Sequence, residues 1–121
     1  MELTLVGSGG IVLDTDRPAP TVLEEIQGEP AIGVRVWMRD VGPARVEVIE
    51  LDVGARLPMH AGPHFATCQV VRGRGKLGLP GGDVVFDGPT MFTFEPGADH
   101  SWHSIEEATV MTTCVVTNTA G

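Results

Sequence analysis

The chain has 121 residues, enough for one domain with a single hydrophobic core and too few for two. Apolar residues make up 42% of it and charged residues 20%, a balance that excludes a disordered chain. Sixteen acidic against eight basic residues leave a net charge of −8, which opposes binding to nucleic acid and to anionic membranes. With no apolar run near the roughly 20 residues of a membrane span, we expect a cytoplasmic protein.

Glycine and proline divide the chain into short, Val-rich, alternating runs, the pattern of many short strands joined by turns with little or no helix. The predicted strands are residues 2–6, 11–13, 32–38, 44–52, 56–61, 64–71, 75–79, 83–86, 91–95, 100–104 and 108–117. Strands at such spacing favour a closed or sandwiched sheet in one domain over residues 1–121. Residues 1–30 would hold the first strands and a connecting segment, in which 22–27 could form one helical turn.

Turn residues predict how the strands are joined. Residues 7–10, 80–83 and 87–89 are rich in Gly, Pro, Asp and Ser, and the turn at 80–83 is short enough to close a hairpin. The run Arg72-Gly73-Arg74-Gly75 is predicted to be a further turn. It lacks the following helix and the Lys of a phosphate-binding loop, so phosphate binding is not expected there.

The two cysteines, Cys68 and Cys114, each lie inside an apolar, β-branched run. This placement predicts buried free thiols. A disulfide or a catalytic thiol is the alternative.

His60 and His64 are the first candidate ligands. In an extended strand, alternate residues share a face, and His-x-His would place two imidazoles about 6.6 Å apart, close enough for one ion. Here Gly62 stands between the histidines, which are four residues apart, or nominally about 13 Å. The two could share a site only if Gly62-Pro63 bends the chain.

A second candidate segment, EPGADHSWH, runs from Glu95 to His103. Trp102 has the same parity as His100 and is predicted to point inward with it, whereas His103 has the opposite parity and is predicted to lie outside. Glu95 ends an apolar run just before the turn that presents His100. A carboxyl group buried there would have a raised pKa and could act as an acid or a base, and a solvated turn residue is the alternative.

Together the two segments resemble the paired motifs of the cupin family, over residues 45–117. Gly54, His60 and Gly73 match the first motif, and Gly97 and His100 match the second. The resemblance implies an all-β double-stranded β-helix, the cupin jelly-roll barrel, with a pocket in the barrel.

The chain also departs from the family pattern at ligand positions. Gly62 stands where a second histidine is expected, Ala66 where a glutamate is expected, and Glu95 and Ser104 replace a proline and an asparagine. A usual cupin site has three histidines and one glutamate, of which only His60 and His100 remain at matching positions.

The resemblance implies a divalent metal ion, for which Fe, Mn, Ni, Cu and Zn are all candidates, and a metal-free site is the alternative. His60, His64 and His100 are the predicted ligands, and Gln69 or Glu95 could supply an oxygen. Glu95 and His64 are the predicted catalytic residues.

Three large residues are predicted to line the pocket for a small organic molecule: Met59, Phe94 and Trp102. Packing in the core is the alternative for each of them.

The predicted function is a small-molecule enzyme with oxygenase, isomerase or cyclase chemistry. A narrower likeness to compact cupins of bacterial aromatic polyketide biosynthesis suggests a role in natural-product biosynthesis. A non-catalytic binding or sensing cupin with an eroded metal site is the alternative, and a purely structural partner domain is a third. The family also implies a homodimer, and residues 2–6 and 11–13 could cover an exposed sheet edge.

Overall fold

The computed structural model describes residues 1–116, which form strands and turns without a helix. The strands are β1 (Leu3–Val6), β2 (Val12–Asp16), β3 (Thr21–Val22), β4 (Glu25–Ile26), β5 (Glu29–Pro30), β6 (Ile32–Val41), β7 (Ala44–His60), β8 (Ala66–Leu79), β9 (Gly82–Asp87), β10 (Thr90–Phe94) and β11 (His100–Val116). The predicted all-β class is therefore confirmed.

The main sheet has the strand order β10-β8-β11-β7-β6-β3, and β9 pairs with the far end of β8. All these pairs are antiparallel. Strands β7 and β11 pair from Ala44 to Leu51, lose register, and pair again where Leu57 faces Trp102 and His60 faces His100. A strand that changes register in this way bends. β7 and β11 therefore continue, and pair with each other, on both sides of their bend.

Three pairs of predicted strands are single long strands in the structure. Residues 44–52 and 56–61 belong to β7, 64–71 and 75–79 to β8, and 100–104 and 108–117 to β11, where residue 117 lies outside the described residues. In the sequence, the glycines inside these strands are typical of breaks between strands. In the structure they lie at bends within continuous strands.

The predicted turn at Arg72–Gly75 is wrong, because these residues lie within β8. Gly73 has a φ of 118°, and a Cβ there would lie 2.6 Å from the Cα of Thr109. The glycine lets β11 approach β8 closely at the point where their ladder shifts register. The hairpin predicted at 80–83 is confirmed, since Leu79 pairs with Gly82.

The core lies on the inner face of the bent main sheet. On β7 the odd-numbered residues Ile49, Leu51, Ala55 and Leu57 are buried, as a half-buried strand requires. The buried apolar residues are Ala31, Val34, Val36, Ile49, Leu51, Ala55, Leu57, Cys68, Val70, Leu77, Phe86, Phe94, Trp102, Ile105 and Met111. Cys68 is buried and free, as predicted, but Cys114 is exposed. Its neighbour Thr113 takes the inner face of β11, so Cys114 faces outward.

The helical turn predicted at residues 22–27 is wrong. Residues 25–30 form the hairpin β4–β5, in which Glu25 pairs with Pro30 and Ile26 with Glu29. Gln27 and Gly28 both have positive φ angles, 49° and 85°, the conformation of a tight hairpin turn. The pairing of β4 with β5 and the positive φ at Gly28 therefore produce a hairpin in place of the predicted helical turn.

Strands β1 and β2 pair with each other in a separate two-stranded sheet. Arg39 of β6 connects this hairpin to the main sheet, because its guanidinium donates to the Leu3 carbonyl and to the Asp14 carboxylate, both at 2.6 Å. The attachment is made by side chains, so β1 and β2 do not extend the main sheet. Within residues 1–116 no helix is long and apolar enough to cross a membrane.

Candidate functional site

His60 and His100 lie side by side where two neighbouring strands meet the same end of the barrel. His60 ends β7, His100 begins β11, and the two residues are directly paired in the ladder. Their ring centroids are 4.4 Å apart, with the ring planes at 53°. Strand pairing therefore brings together two histidines that are 40 residues apart in the sequence.

Each histidine is anchored by a backbone carbonyl two residues before it. His60 Nδ1 lies 2.8 Å from the Pro58 oxygen, and His100 Nδ1 lies 2.9 Å from the Ala98 oxygen. A carbonyl oxygen can only accept, so in the neutral ring each Nδ1 holds the proton and donates it. Each Nε2 is then left with a lone pair for a ligand or a proton.

The surroundings of His100 favour its neutral form. Burial lowers the pKa of His100 below its usual value of 6.5, and the neighbouring His60 lowers it further, while the Ala98 carbonyl and Asp99 oppose the shift. Phe94 stacks on the imidazole with the centroids 3.9 Å apart and the planes at 11°. Near neutral pH this ring is therefore available as a base.

His60 and His100 line a cavity of about 350 Å³ inside the barrel. Its walls are mostly apolar, and among the described residues neither Lys nor Arg lines it. The lining residues are Thr21, Leu23, Ile26, Val36, Met38, Glu47, Ile49, Leu57, His60, Gly62, Ala66, Cys68, Phe94, His100, Trp102, Met111, Thr113 and Val115. A concave, largely apolar space with a few polar groups is the usual form of a small-molecule site.

A second polar group, Glu47 with Thr113, lies in the same cavity. The two residues face each other across β7 and β11, and Thr113 Oγ1 donates to Glu47 Oε1 at 2.7 Å. Cys68 of β8 pairs with Thr113 of β11, and its thiol hydrogen is donated to Met111 Sδ at 3.4 Å. Burial raises the pKa of Cys68 to about 12, and the charge of Glu47 adds to this shift, so the thiol stays protonated.

The sequence interpretation missed Glu47. The available signal was its parity, because Glu47 shares the inner face of β7 with Ile49 and Leu51. A carboxylate on the core side of a strand is uncommon and is a candidate for function.

Residues from the N-terminal segment cover one side of the cavity. Leu23 and Ile26 line it, and Gln27 Nε2 of the β4–β5 hairpin donates to the Ala61 carbonyl at 2.8 Å. On the neighbouring loop, the Gly97 amide donates to the Gly62 carbonyl at 2.8 Å. The loop after His60 is thus hydrogen-bonded to the loop before His100. It is also hydrogen-bonded to the β4–β5 hairpin.

Two of the predicted pocket residues lie in this cavity and one does not. Phe94 and Trp102 line it, and both are buried. Trp102 also packs edge-to-face against Phe86 and Phe92. Met59 is 41% exposed and lies outside the cavity lining, because it takes the opposite strand face from His60.

The remaining predicted site residues also lie outside the cavity lining. His64 is half-buried in the loop between β7 and β8, Glu95 is exposed beside a shallow depression, and Gln69 is exposed on the outer face of β8. His103 lies outside the cavity, as its parity predicted, with Nε2 3.2 Å from Asp83. Glu95 is exposed, so it lacks the burial on which its predicted acid-base role depended.

No family model matches the sequence, and no curated protein does. Many solved structures do resemble the fold. A predicted oxalate decarboxylase from Thermotoga maritima superposes with a TM-score of 0.69 and 17% identity, covering 93% of this chain and 97% of that one. An RmlC-like cupin from Shewanella frigidimarina gives 0.64 and 22%, covering 83% and 86%.

The chain has the cupin fold. The jelly-roll barrel predicted from the two motifs is thereby confirmed. The polyketide cyclase RemF from Streptomyces resistomycificus is a further structural neighbour, with a TM-score of 0.63 and 14% identity over 73% of this chain and 68% of that one. At these identities the likeness extends to the fold, and the chemistry must be argued from the residues of this cavity.

The donor set of this cavity does not fit the metal site that the family resemblance implied. The anchored imidazoles of His60 and His100 are suitable ligands. Within residues 1–116, however, no group of three or more His, Cys, Asp or Glu side chains is placed to hold one ion. His64 therefore does not complete a three-histidine site, although Gly62 and Pro63 do lie in a loop after β7.

Proposed function

We propose that this cupin is an enzyme of the proton-transfer type, an isomerase or cyclase that acts on a small organic molecule inside the barrel cavity. The observation behind this proposal is the pair His60 and His100, whose rings are anchored through Nδ1 beside an apolar space. Keto–enol isomerisation and aldol-type ring closure both require a base that removes a proton next to a carbonyl group. A neutral imidazole in an apolar cavity is suited to that step.

His100 is the proposed base. Its Nε2 lone pair would take a proton from an acidic C–H of the substrate, leaving an enolate, and the same nitrogen would return the proton at another carbon or at oxygen. The lowered pKa of His100 keeps the ring unprotonated near neutral pH. His100 is therefore ready to react without first losing a proton.

The imidazolium that forms has two sources of stabilisation on the ring itself. The Ala98 carbonyl accepts from Nδ1, and a hydrogen bond to a charged donor is stronger than one to a neutral donor. The stacked Phe94 ring offers its negative face, worth about 0.5–1 kcal/mol for a cation near an aromatic ring.

His60 is the proposed positioning residue. With Nδ1 bonded to Pro58, its Nε2 can accept a hydrogen bond from a substrate hydroxyl. A substrate held in this way would place its C–H against His100, whose ring centroid is 4.4 Å from that of His60. Correct placement of reacting atoms is a large part of enzymatic rate enhancement.

A non-catalytic binding cupin is the second candidate. The observation that favours it is that no group of three or more His, Cys, Asp or Glu side chains among the described residues is placed to hold one ion. In that case His60 and His100 would only orient a ligand. Enzyme and binding protein differ in whether a bound compound exchanges protons with the solvent.

Hydrogen–deuterium exchange of a bicyclic hydroxytetralone in D₂O tests the proposal, because this probe has a hydroxyl group and an acidic C–H beside a carbonyl. We expect the wild-type protein to accelerate exchange and His100→Gln to lower the rate by about 100-fold. His60→Gln should mainly weaken binding of the probe. Mass spectrometry reads the incorporated deuterium.

The other two histidines provide matched controls. His64→Gln and His103→Gln change residues outside the cavity and should leave the exchange rate within about twofold of wild type. If the probe binds but wild type and His100→Gln exchange it equally slowly, the binding candidate is favoured. Untagged protein should hold less than one Fe, Mn, Ni, Cu or Zn per chain, and a chelator should leave exchange unchanged.

The fold shared with the cyclase RemF makes natural-product biosynthesis a suitable setting for this proposal. A cytoplasmic location and a homodimer remain predictions.

A further inference from the structure

The polar groups of the cavity are mostly hydrogen-bond acceptors. Thr113 donates its hydroxyl hydrogen to Glu47 and Cys68 donates its thiol hydrogen to Met111, so these two donors are already used. The other donors on the lining are the Thr21 hydroxyl and the Trp102 indole N–H. The acceptors on the wall are the second carboxylate oxygen of Glu47 and the Nε2 lone pairs of His60 and His100. A ligand that satisfies these groups must supply hydrogen-bond donors at two separate places.

The cavity also lacks a positive charge. No Lys or Arg is among its described lining residues, Glu47 contributes a negative charge, and the chain as a whole carries −8. Burial lowers the pKa of His100 and so disfavours its cationic form. A carboxylate moved from water into this space would lose its hydration and find no counter-charge, which costs several kcal/mol.

The remaining walls are flat or branched and apolar. Phe94 and Trp102 contribute aromatic surface, and Leu57, Ile49 and Met111 contribute aliphatic surface. A volume of about 350 Å³ lies at the lower end of the range for small-molecule pockets and suits a compact fused-ring molecule. Trp102 also carries an indole N–H, which is uncharged.

We propose that the cavity selects an uncharged aromatic molecule with hydroxyl groups at two ends, one donating to the His60–His100 pair and the other to Glu47, and that it rejects the corresponding carboxylate. This substrate class rests on the proposed function, because it uses the same cavity. It differs from an oxalate-like substrate, which has two carboxylates and would need a cation that this lining does not supply.

Two probes of nearly equal shape test the selection, a naphthalenediol and the hydroxynaphthoate in which a carboxylate replaces one hydroxyl. At about pH 7.5 the diol is neutral and the naphthoate is ionised. Titration calorimetry on the wild-type protein should show the diol binding at least about tenfold more tightly. A naphthoate that binds as tightly as the diol would overturn the proposal.

Glu47→Gln tests the second end of the cavity. We expect it to weaken diol binding by about tenfold and to improve binding of the hydroxynaphthoate, because it removes the negative charge from the cavity wall. Glu29→Gln is the matched control, since Glu29 is exposed on the β4–β5 hairpin and lies outside the cavity lining. An unchanged probe preference in Glu47→Gln contradicts the role given to Glu47.

Hydroxytetralone exchange, measured on the same preparations, separates this inference from the proposed function. Exchange that depends on His100, together with a preference for the naphthoate or no binding of either probe, overturns only the substrate class. Loss of both the diol preference and the exchange overturns both proposals. Circular dichroism of each variant, compared with wild type, verifies that Glu47→Gln and His100→Gln remain folded.

Discussion

His60 and His100 share one local arrangement, in which Nδ1 bonds to the carbonyl two residues earlier in the chain. The arrangement depends on the conformation of a few consecutive residues, so each ring is oriented by its own segment. Strand pairing then brings the two segments together. Residue-level features therefore fix which nitrogen of each ring is available, and topology fixes that both are available in one cavity.

The lowered pKa of His100 predicts a loss of stability in mild acid. The unfolded chain binds a proton at His100 as the pH falls through the usual value of 6.5, whereas the folded chain resists it. The unfolded state then binds more protons, so the free energy of unfolding should fall between about pH 7 and pH 5. Urea denaturation at several pH values measures this slope.

His100→Gln should flatten that slope, and His64→Gln should retain it. Carboxylates paired with arginines, such as Asp40 and Asp52, do not contribute to the slope of unfolding free energy in this pH range. Their pKa values are lowered from 3.8 by hydrogen bonds to Arg45 and Arg35, so they lose their stabilising charge at lower pH. An equal slope in wild type and His100→Gln would contradict the assigned cause.

At this scale motif and strand parity predicted the positions of His60, His100, Phe94 and Trp102, which all line the cavity. Glu95 and Met59 lie outside the lining, since exposure depends on where a strand ends and which face it presents. Glu47 has the same parity as Ile49 and Leu51, so the signal for its inner position was already present within the predicted strand 44–52.

At the scale of elements, the long strands β7, β8 and β11 account for most of the difference between prediction and structure. The β8–β9 hairpin was predicted at its observed place, whereas the turn predicted at Arg72–Gly75 lies inside β8. Glycine has two uses that the sequence does not distinguish, to end a strand in a turn or to bend a strand that continues. Which use applies at Gly54 or Gly73 depends on the neighbouring strand.

Gly73 provides a test of this bend. Gly73→Ala adds a methyl group at a φ of 118° and within 2.6 Å of the Thr109 Cα, so we expect the free energy of unfolding to fall by about 1–3 kcal/mol. Gly81→Ala is the control, because nothing lies within 4 Å of a Cβ at that position. Chemical denaturation of both variants gives the difference, and equal stabilities would show that the bend does not depend on glycine.

At the scale of the whole molecule, the β1–β2 hairpin presents apolar side chains to solvent. Val6, Ile11, Val12 and Leu13 are each more than half exposed. Exposed apolar groups that lie together are often covered by another chain. The hairpin is attached through Arg39, which leaves these side chains available for a contact between two copies.

We therefore expect a homodimer with about twice the mass of the 12.8 kDa chain in light scattering. Leu13→Glu should shift the protein toward the monomer by placing a charge in the contact, and Glu2→Gln is a control of similar position without a new charge. A monomeric wild-type mass, or a dimer unaffected by Leu13→Glu, would contradict this assignment.

Gly62 has a consequence for how this barrel relates to metal-binding cupins. It lines the cavity, its carbonyl joins the two histidine loops, and a Cβ at this position would meet no atom within 4 Å. Its backbone also lies outside the positive-φ region that disfavours larger residues. A third imidazole could thus be installed by a single substitution. Gly62→His should acquire about one equivalent of Ni²⁺ or Zn²⁺ in calorimetry where wild type binds less, and the present cavity would then be one mutational step from a metalloenzyme scaffold.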